Sequence, residues 1–249
     1  MALSGKHAVV TGGGTGIGLA ITNALVIGGA DVTIMGRNLE RLEKIAQKND
    51  KIHAVQIDIM NEQSVQNAIQ KTSEFKPIDI LVNNAGDADS GPFEKMDLDR
   101  WKFMIDLNLT GTYLVTSAVM TDMLERGAGN IINVASTAGL HGYAYTSAYC
   151  AAKHGVVGLT KSLALEMANK GISVNALCPG YARTDLVMNA VKNIMAAKGK
   201  TEEEAINGML APSGQQRLIE PDEIAEQAIK ICEQNLNGEI IIIDGEERE

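Results

Sequence analysis

Seven short runs rich in valine and isoleucine are strung along the chain at 6–11, 31–35, 52–58, 78–83, 130–135, 172–177 and 239–243. Such runs, apolar without polar alternation, suit strands covered on both faces. Stretches with helical periodicity lie between them, at 17–26, 39–47, 62–74, 101–126, about 147–169 and 221–234. Strands alternating with helices point to one arrangement, a parallel sheet with helices on both faces. In such sheets ligands bind outside the carboxyl ends of the strands. The residues at the end of each run are therefore where function should be legible.

The first run stops at Thr11-Gly12-Gly13-Gly14-Thr15-Gly16-Ile17-Gly18, directly before a helix. Glycine lets a backbone approach a ligand closely, and free N–H groups at the helix start suit a phosphate. The third run ends at Asp58-Ile59, the fourth at Asn83-Asn84-Ala85-Gly86, the fifth at Ser136 and the sixth before Pro179-Gly180. Beyond Ser136, Ser147 is a plausible cap for a helix carrying Tyr149 and Lys153. Their i, i+4 spacing sets a phenol and an ammonium on one helix face. A nearby cation favours the phenolate of a group whose ordinary pKa is about 10. A lone Tyr-x-x-x-Lys is usually a chance surface pair; here one predicted crevice gathers it with the other strand ends.

The chain totals exclude several classes of function. A formal net charge of −9 disfavours a sequence-nonspecific grip on nucleic acid or an anionic membrane. Three widely spaced cysteines make neither a disulfide framework nor a metal-ligand pattern, so no metal is expected. The start, MALSGKHAVVTGGG, meets glycine before any long apolar run, and no stretch is long enough to span a bilayer. The expectation is a cytoplasmic protein with one domain over 1–249. Within it, 181–220 departs from the alternation. Leu186, Val187, Ala190, Val191, Ile194 and Met195 trace one apolar helical face, and Thr201-Glu-Glu-Glu204 reads as a capping box opening a second helix. The insert suits a lid over the crevice, a subunit contact or ordinary core cover.

With TGGGTGIG at 11–18, Asp58, NNAG at 83–86, Asn108, Ser136, Tyr149-x-x-x-Lys153, and Pro179-Gly180 with Thr184, the chain resembles the short-chain dehydrogenase/reductase family over essentially its whole length. The resemblance implies a Rossmann-like doubly wound α/β sheet of about seven strands and a hydride-transferring enzyme. At matching positions it makes Tyr149 the acid/base and Lys153 the group that lowers its pKa and holds the nicotinamide ribose. Ser136 becomes the donor to the substrate oxygen, and Asn108 the holder of a relay water. Gly12, Thr15, Gly16, Ile17 and Gly18 would cradle the phosphates. Asp58 and Asn83 would lie beside the adenine, with Ile59, Asn84, Ala85 and Gly86 completing that wall. Pro179, Gly180 and Thr184 would meet the nicotinamide end.

Relatives preferring NAD(H) usually carry a carboxylate at the position of Gly36. Here it is missing and Arg37 follows, which predicts NADP(H), with NAD(H) the alternative. The segment ASTAGLHG, the insert and RLIEPDEIA at 217–225 look most like 3-oxoacyl thioester reductases linked to coenzyme A or an acyl carrier protein, and like polyketide ketoreductases. The insert also resembles that of 3-hydroxybutyrate dehydrogenases. Those grip a free carboxylate, whereas here Ala138 and Thr146 stand near Ser136 and Tyr149, and Asp87 and Asp89 would repel a small anion. The expected substrate is a neutral carbonyl on an apolar chain, with Ala138 beside it and His141, Tyr143 and Tyr145 as candidates for the pocket rim. Lys192, Lys198 and Lys200 read as a solvated face beside Glu202–Glu204. A secondary-alcohol or 3-hydroxyacyl dehydrogenase using NAD is the runner-up, and a non-catalytic nucleotide sensor the remote one. Relatives commonly form tetramers or dimers; the short charged end EERE weakens the expectation of a tetramer.

Overall fold

The computed structural model describes residues 1–246; the last three residues of the charged end lie outside the described residues. Seven parallel strands form one sheet in the order β3-β2-β1-β4-β5-β6-β7. They are β1 (His7–Thr11), β2 (Asp31–Gly36), β3 (Ile52–Gln56), β4 (Ile80–Asn83), β5 (Gly129–Val134), β6 (Ile172–Pro179) and β7 (Ile240–Ile243). The first three strands run outward from β1 and the rest run the other way from β4. Chain direction across the sheet thus reverses between β1 and β4, where a crevice opens at the carboxyl edge.

Both faces are covered. Helices α1 (Gly16–Ile27), α2 (Leu39–Ala46) and α9 (Pro221–Gln234) pack on one side with Val10, Ile34, Ile132 and Leu177. On the other, α3 (Glu62–Phe75), α5 (Gly111–Arg126) and α6 (Ser147–Met167) cover Val9, Leu81, Ile131 and Val174. This is why the strand runs lack polar alternation: successive side chains enter two different cores.

Local chemistry sets the helix starts. Asn38 caps α2 by accepting from Arg41 N, and Asn61 caps α3 by accepting from Ser64 N. Ser147, the expected cap of α6, instead lies in its first turn. The capping position belongs to Thr146, whose hydroxyl donates to Tyr143 O and accepts from no helix N–H.

The helix expected at 101–126 starts earlier, as α4 (Leu98–Ile105) capped by Asp97. It runs into α5 through a π-helical turn at Asp106–Thr110. Asn108 sits in that turn, fully buried, and its main-chain carbonyl accepts from the Thr112 hydroxyl at 3.0 Å. Such turns widen a helix by one residue and re-aim the side chains they carry.

The insert forms α7 (Asp185–Lys198) and α8 (Glu202–Leu210), which pack on each other. The Thr201–Glu204 capping box closes in both directions. Only Val191 of α7 is buried, while Ala205 and Leu210 anchor α8. Leu186, at the start of the expected apolar face, is half exposed.

Candidate active site

The glycine turn wraps the carboxyl end of β1. Gly16 takes the left-handed backbone that favours glycine, with φ +50°. At Gly18 the restraint is space, because a Cβ there would lie 2.3 Å from Gly12 O. The turn is tied to the end of β4: Thr11 Oγ1 accepts from both Asn84 N and Ala85 N at 3.0 Å, and Asn84 Nδ2 donates to Thr11 O at 3.0 Å. The Asn84 amide therefore braces the turn instead of lining the crevice.

Asn83 departs from its expected place beside the adenine. It is buried on the α5 side of the sheet, where its amide donates to Thr116 Oγ1 and Asn133 Oδ1, both at 2.9 Å. Asn133 passes the chain on to Thr160 at 2.9 Å. The first asparagine of NNAG thus holds β4, β5, α5 and α6 together. Strand pleating explains the reversal: Asn83 shares the face of Leu81, which belongs to the α3/α5/α6 core.

A cleft of about 270 Å³ lies over the carboxyl ends of β1, β2 and β3. Gly12, Thr15, Arg37, Asp58, Ile59, Ala85 and Gly86 of the expected set line it. Arg41, in the first turn of α2, also lines it; the available signal was a second arginine close behind the end of β2. Glu40 lies between them in sequence and pairs with Lys44 at 2.6 Å, away from either guanidinium. The cleft mouth thus offers two exposed cations where β2 ends in Gly36 without a carboxylate.

The second half of the crevice is drier. Gly86 bridges the two: a Cβ there would meet Asn108 Oδ1 at 2.6 Å and lie 3.7 Å from Lys153 Nζ. Asn108 Nδ2 donates to Asp87 O at 3.0 Å and Met104 O at 3.1 Å, and Asp87 N donates back to Oδ1 at 3.3 Å. Its side chain fixes the loop leaving β4. Lys153 is only 6% exposed and donates to Val134 O at 2.9 Å. Burial lowers its pKa to about 8.

Tyr149 stands one turn before Lys153, and Lys153 Nζ is 5.7 Å from its ring centroid. Burial pushes the Tyr149 phenol up to about 12, against the opposing pull of the Ser136 hydroxyl. The expected lowering by Lys153 does not emerge in the protein alone, because the ammonium is held at the Val134 carbonyl and desolvation dominates at the phenol. Ser136, at the start of a short 3-10 turn, also accepts from Ala138 N at 3.1 Å.

The rim contains further departures. Ala138 is buried in that turn, and His141 is exposed on the loop beyond it. Asp89 forms a two-pronged ion pair with Arg100, so it does not present a free carboxylate at the mouth. Of the two expected repelling groups, Asp87 remains exposed, and its charge acts on Tyr149. Tyr181, after β6, lies near enough to Tyr149 to raise its pKa and is itself raised by burial. Tyr143 donates to Thr137 Oγ1 at 3.0 Å beside the same space. Thr184 caps α7 and abuts the glycine turn: a Cβ on Gly16 would be 3.1 Å from Thr184 Cγ2. The segment Pro179–Thr184 therefore links the turn to the tyrosine cluster.

A glycine-rich strand-to-helix turn, a crevice at the reversal point of a parallel sheet, and a Ser–Tyr–Lys cluster at its dry end define a dinucleotide-dependent oxidoreductase. Residues 6–194 match the family model of short chain dehydrogenases. The D-beta-hydroxybutyrate dehydrogenase of Cupriavidus necator is 37% identical, the alignment covering 98% of each chain. The 3-oxoacyl-[acyl-carrier-protein] reductase FabG of Aquifex aeolicus is 34% identical over 98% of this chain and 97% of its own. A crystal structure of an actinorhodin polyketide ketoreductase with NADPH superposes with a TM-score of 0.89 at 32% identity, covering 98% of this chain and 97% of that one. The chain belongs to the short-chain dehydrogenase family and is an NAD(P)-dependent oxidoreductase.

Proposed function

We propose that the protein is an NADP(H)-dependent reductase of a ketone carried on an apolar chain, with a 3-oxoacyl thioester as the substrate class. The observation that carries the reaction is the gathering of Ser136, Tyr149 and a buried Lys153, whose Nζ lies 5.7 Å from the tyrosine ring centroid. The glycine turn and the arginine-rimmed cleft fit a dinucleotide, and the nicotinamide supplies the hydride when bound. Tyr149 keeps its proton at neutral pH and donates it to the carbonyl oxygen as charge develops there. Ser136 donates a second hydrogen bond to the same oxygen. Lys153 keeps a positive charge beneath the phenol and steadies the phenolate left behind. Asn108 holds the loop at Asp87 and so sets the wall facing Lys153.

Arg37 supports the phosphorylated cofactor, since a guanidinium at the end of β2 suits a 2′-phosphate and no carboxylate competes for the 2′-hydroxyl. The thioester reading rests on a rim of tyrosines at which, among the described residues, no free cation stands to hold a carboxylate. It is tested by following NADPH loss with acetoacetyl-coenzyme A and a longer homologue. Turnover that improves with chain length supports it; no turnover with either, beside good turnover of a cyclic or aryl ketone, overturns it in favour of a secondary-alcohol dehydrogenase. The Asp89–Arg100 pair favours a second reading, oxidation of a short 3-hydroxy acid with NAD, because it removes one of the two charges that would repel that anion. In that case 3-hydroxybutyrate with NAD would outperform both thioesters. We further assign the insert as a lid over the substrate and the assembly as a homo-oligomer. The four partly buried isoleucines of β7, at the sheet edge, support a contact between copies.

A further inference from the structure

The insert leaves the sheet through Tyr181–Thr184 and returns through 215–219, and the Gln215 side chain helps fasten these two stems together. Gln215 is 6% exposed and uses both ends of its amide. Its Oε1 accepts from Tyr181 N at 2.8 Å, and its Nε2 donates to Tyr181 O at 2.8 Å and Arg217 O at 2.6 Å. A neighbouring strand would treat Tyr181 in the same way. The pairing continues in the main chain, where Ile219 N donates to Tyr181 O at 3.0 Å and Arg183 N to Ile219 O at 2.8 Å. Gly180 makes room for the clamp, since a Cβ there would lie 2.3 Å from Gln215 Oε1.

The clamp holds a residue just beyond the carboxyl end of β6, on the crevice side of the sheet. Tyr181 lies within electrostatic reach of Tyr149 and of Tyr143. Three residues later Thr184 abuts Gly16 of the glycine turn. A shift of the Tyr181 main chain would therefore alter the gap above Tyr149 without touching the sheet or Lys153.

We propose that Gln215 is a positioning residue: by locking both main-chain polar groups of Tyr181 it ties the closure of the insert to the width of the substrate gap. It acts through Tyr181 and touches no reacting atom. The inference rests on the reading of Tyr149 as the proton donor.

The test compares Gln215→Ala and Gln215→Glu with Asn175→Ala. Asn175 is a buried amide of the same kind, donating to Leu236 O at 2.7 Å and accepting from Glu239 N at 3.0 Å, but it fixes the entry to β7. Both alanine variants should melt several degrees lower. Only Gln215→Ala should raise the KM for the carbonyl substrate, about tenfold, with kcat and the cofactor KM changed far less. Gln215→Glu keeps the acceptor for Tyr181 N–H and loses both donors, so its KM should fall between those of Gln215→Ala and the unsubstituted protein. If Gln215→Ala lowers the melting temperature as Asn175→Ala does and leaves KM unchanged, Gln215 is only a fastener and the proposal fails. The same result from a folded Gln215→Glu would overturn it even if Gln215→Ala did not fold. If Tyr149→Phe retains turnover, the functional reading fails instead, whatever Gln215 does.

Discussion

The two ends of the crevice use opposite electrostatic strategies. At the ends of β1–β3 the charged groups, Arg37 and Arg41, are exposed and free of ion pairs among the described residues. At the ends of β4–β6 the titratable groups are buried, and burial moves their pKa values, Lys153 down to about 8 and Tyr149 up to about 12. An exposed guanidinium attracts an anion through water and discriminates by sign and shape. A buried phenol and ammonium act over short distances where water does not screen them, and small displacements matter. One end is built to select a cofactor, the other to move a proton.

The sharpest way to break this contrast is at the dry end. Tyr149→Phe keeps the ring and removes the proton, and should lower kcat by about 10³-fold or more while leaving cofactor binding nearly intact. Fluorescence titration with NADPH beside single-turnover rates separates the two. Lys153→Met should lower kcat to a similar degree. The pH profile carries the same signature with a defined sign. A group with its pKa lowered to about 8 is charged below that pH and neutral above it. The reduction rate should therefore be flat near neutrality and decline as pH rises past about 8. A rate that climbs through that range would contradict the role given to the ammonium.

At the wet end the expected effects are smaller and selective. Arg37→Ala should lower kcat/KM with NADPH about ten- to a hundredfold, the scale of a lost charge-assisted contact, and leave NADH within about twofold. Arg41→Ala should act in the same direction and more weakly, because Arg41 lies further from the end of β2, in the first turn of α2. Added salt should raise the NADPH KM and leave kcat unmoved, since screening reaches the exposed guanidiniums and not the buried pair. A preference for NADH in the unsubstituted protein would overturn the cofactor assignment outright.

This contrast also separates what the sequence made legible from what it did not. Strand ends were readable because buried parallel strands are nearly continuous apolar runs, and Gly12, Ser136 and Lys153 stand where such runs stop or in the helix just beyond. The capping box at Thr201–Glu204 was readable because its partners are three residues apart. Long-range pairing was not. Nothing local says that Arg100 will neutralise Asp89, or that Gln215 will clasp Tyr181 across the whole insert. The sequence DLNLT reads as ordinary helix, so nothing local announces the π turn that joins α4 to α5 and seats Asn108. Asn83 was misplaced because a β-strand's pleat, and not its motif, decides which neighbour turns inward. Arg41 lay within reach, since a second arginine four residues after Arg37 is plain in the sequence.

The smallest expected effect lies at the opposite edge of the sheet. His7, at the start of β1, is fully buried; its ring nitrogens face Lys76 O and Thr33 Oγ1, both at 2.9 Å. Burial lowers its pKa from 6.5, and the hydrogen bond to the Lys76 carbonyl only partly opposes this. Between the lowered folded pKa and 6.5 the unfolded chain binds a proton that the folded chain refuses. His7 therefore contributes its stability in full above pH 6.5, and that contribution is lost as pH falls from there through the folded value. Melting temperatures measured downward from about pH 8 should decline through this window, and His7→Gln should flatten the decline. It should also lower stability near pH 8 by about 1–3 kcal/mol, because the Lys76 carbonyl and the Thr33 hydroxyl lose a well-placed partner. The variant's kcat there should match that of the unsubstituted protein. A changed pH–rate profile in His7→Gln would mean that the two edges of the sheet are coupled, and the separation drawn between a stabilising base and a reacting crevice would not hold.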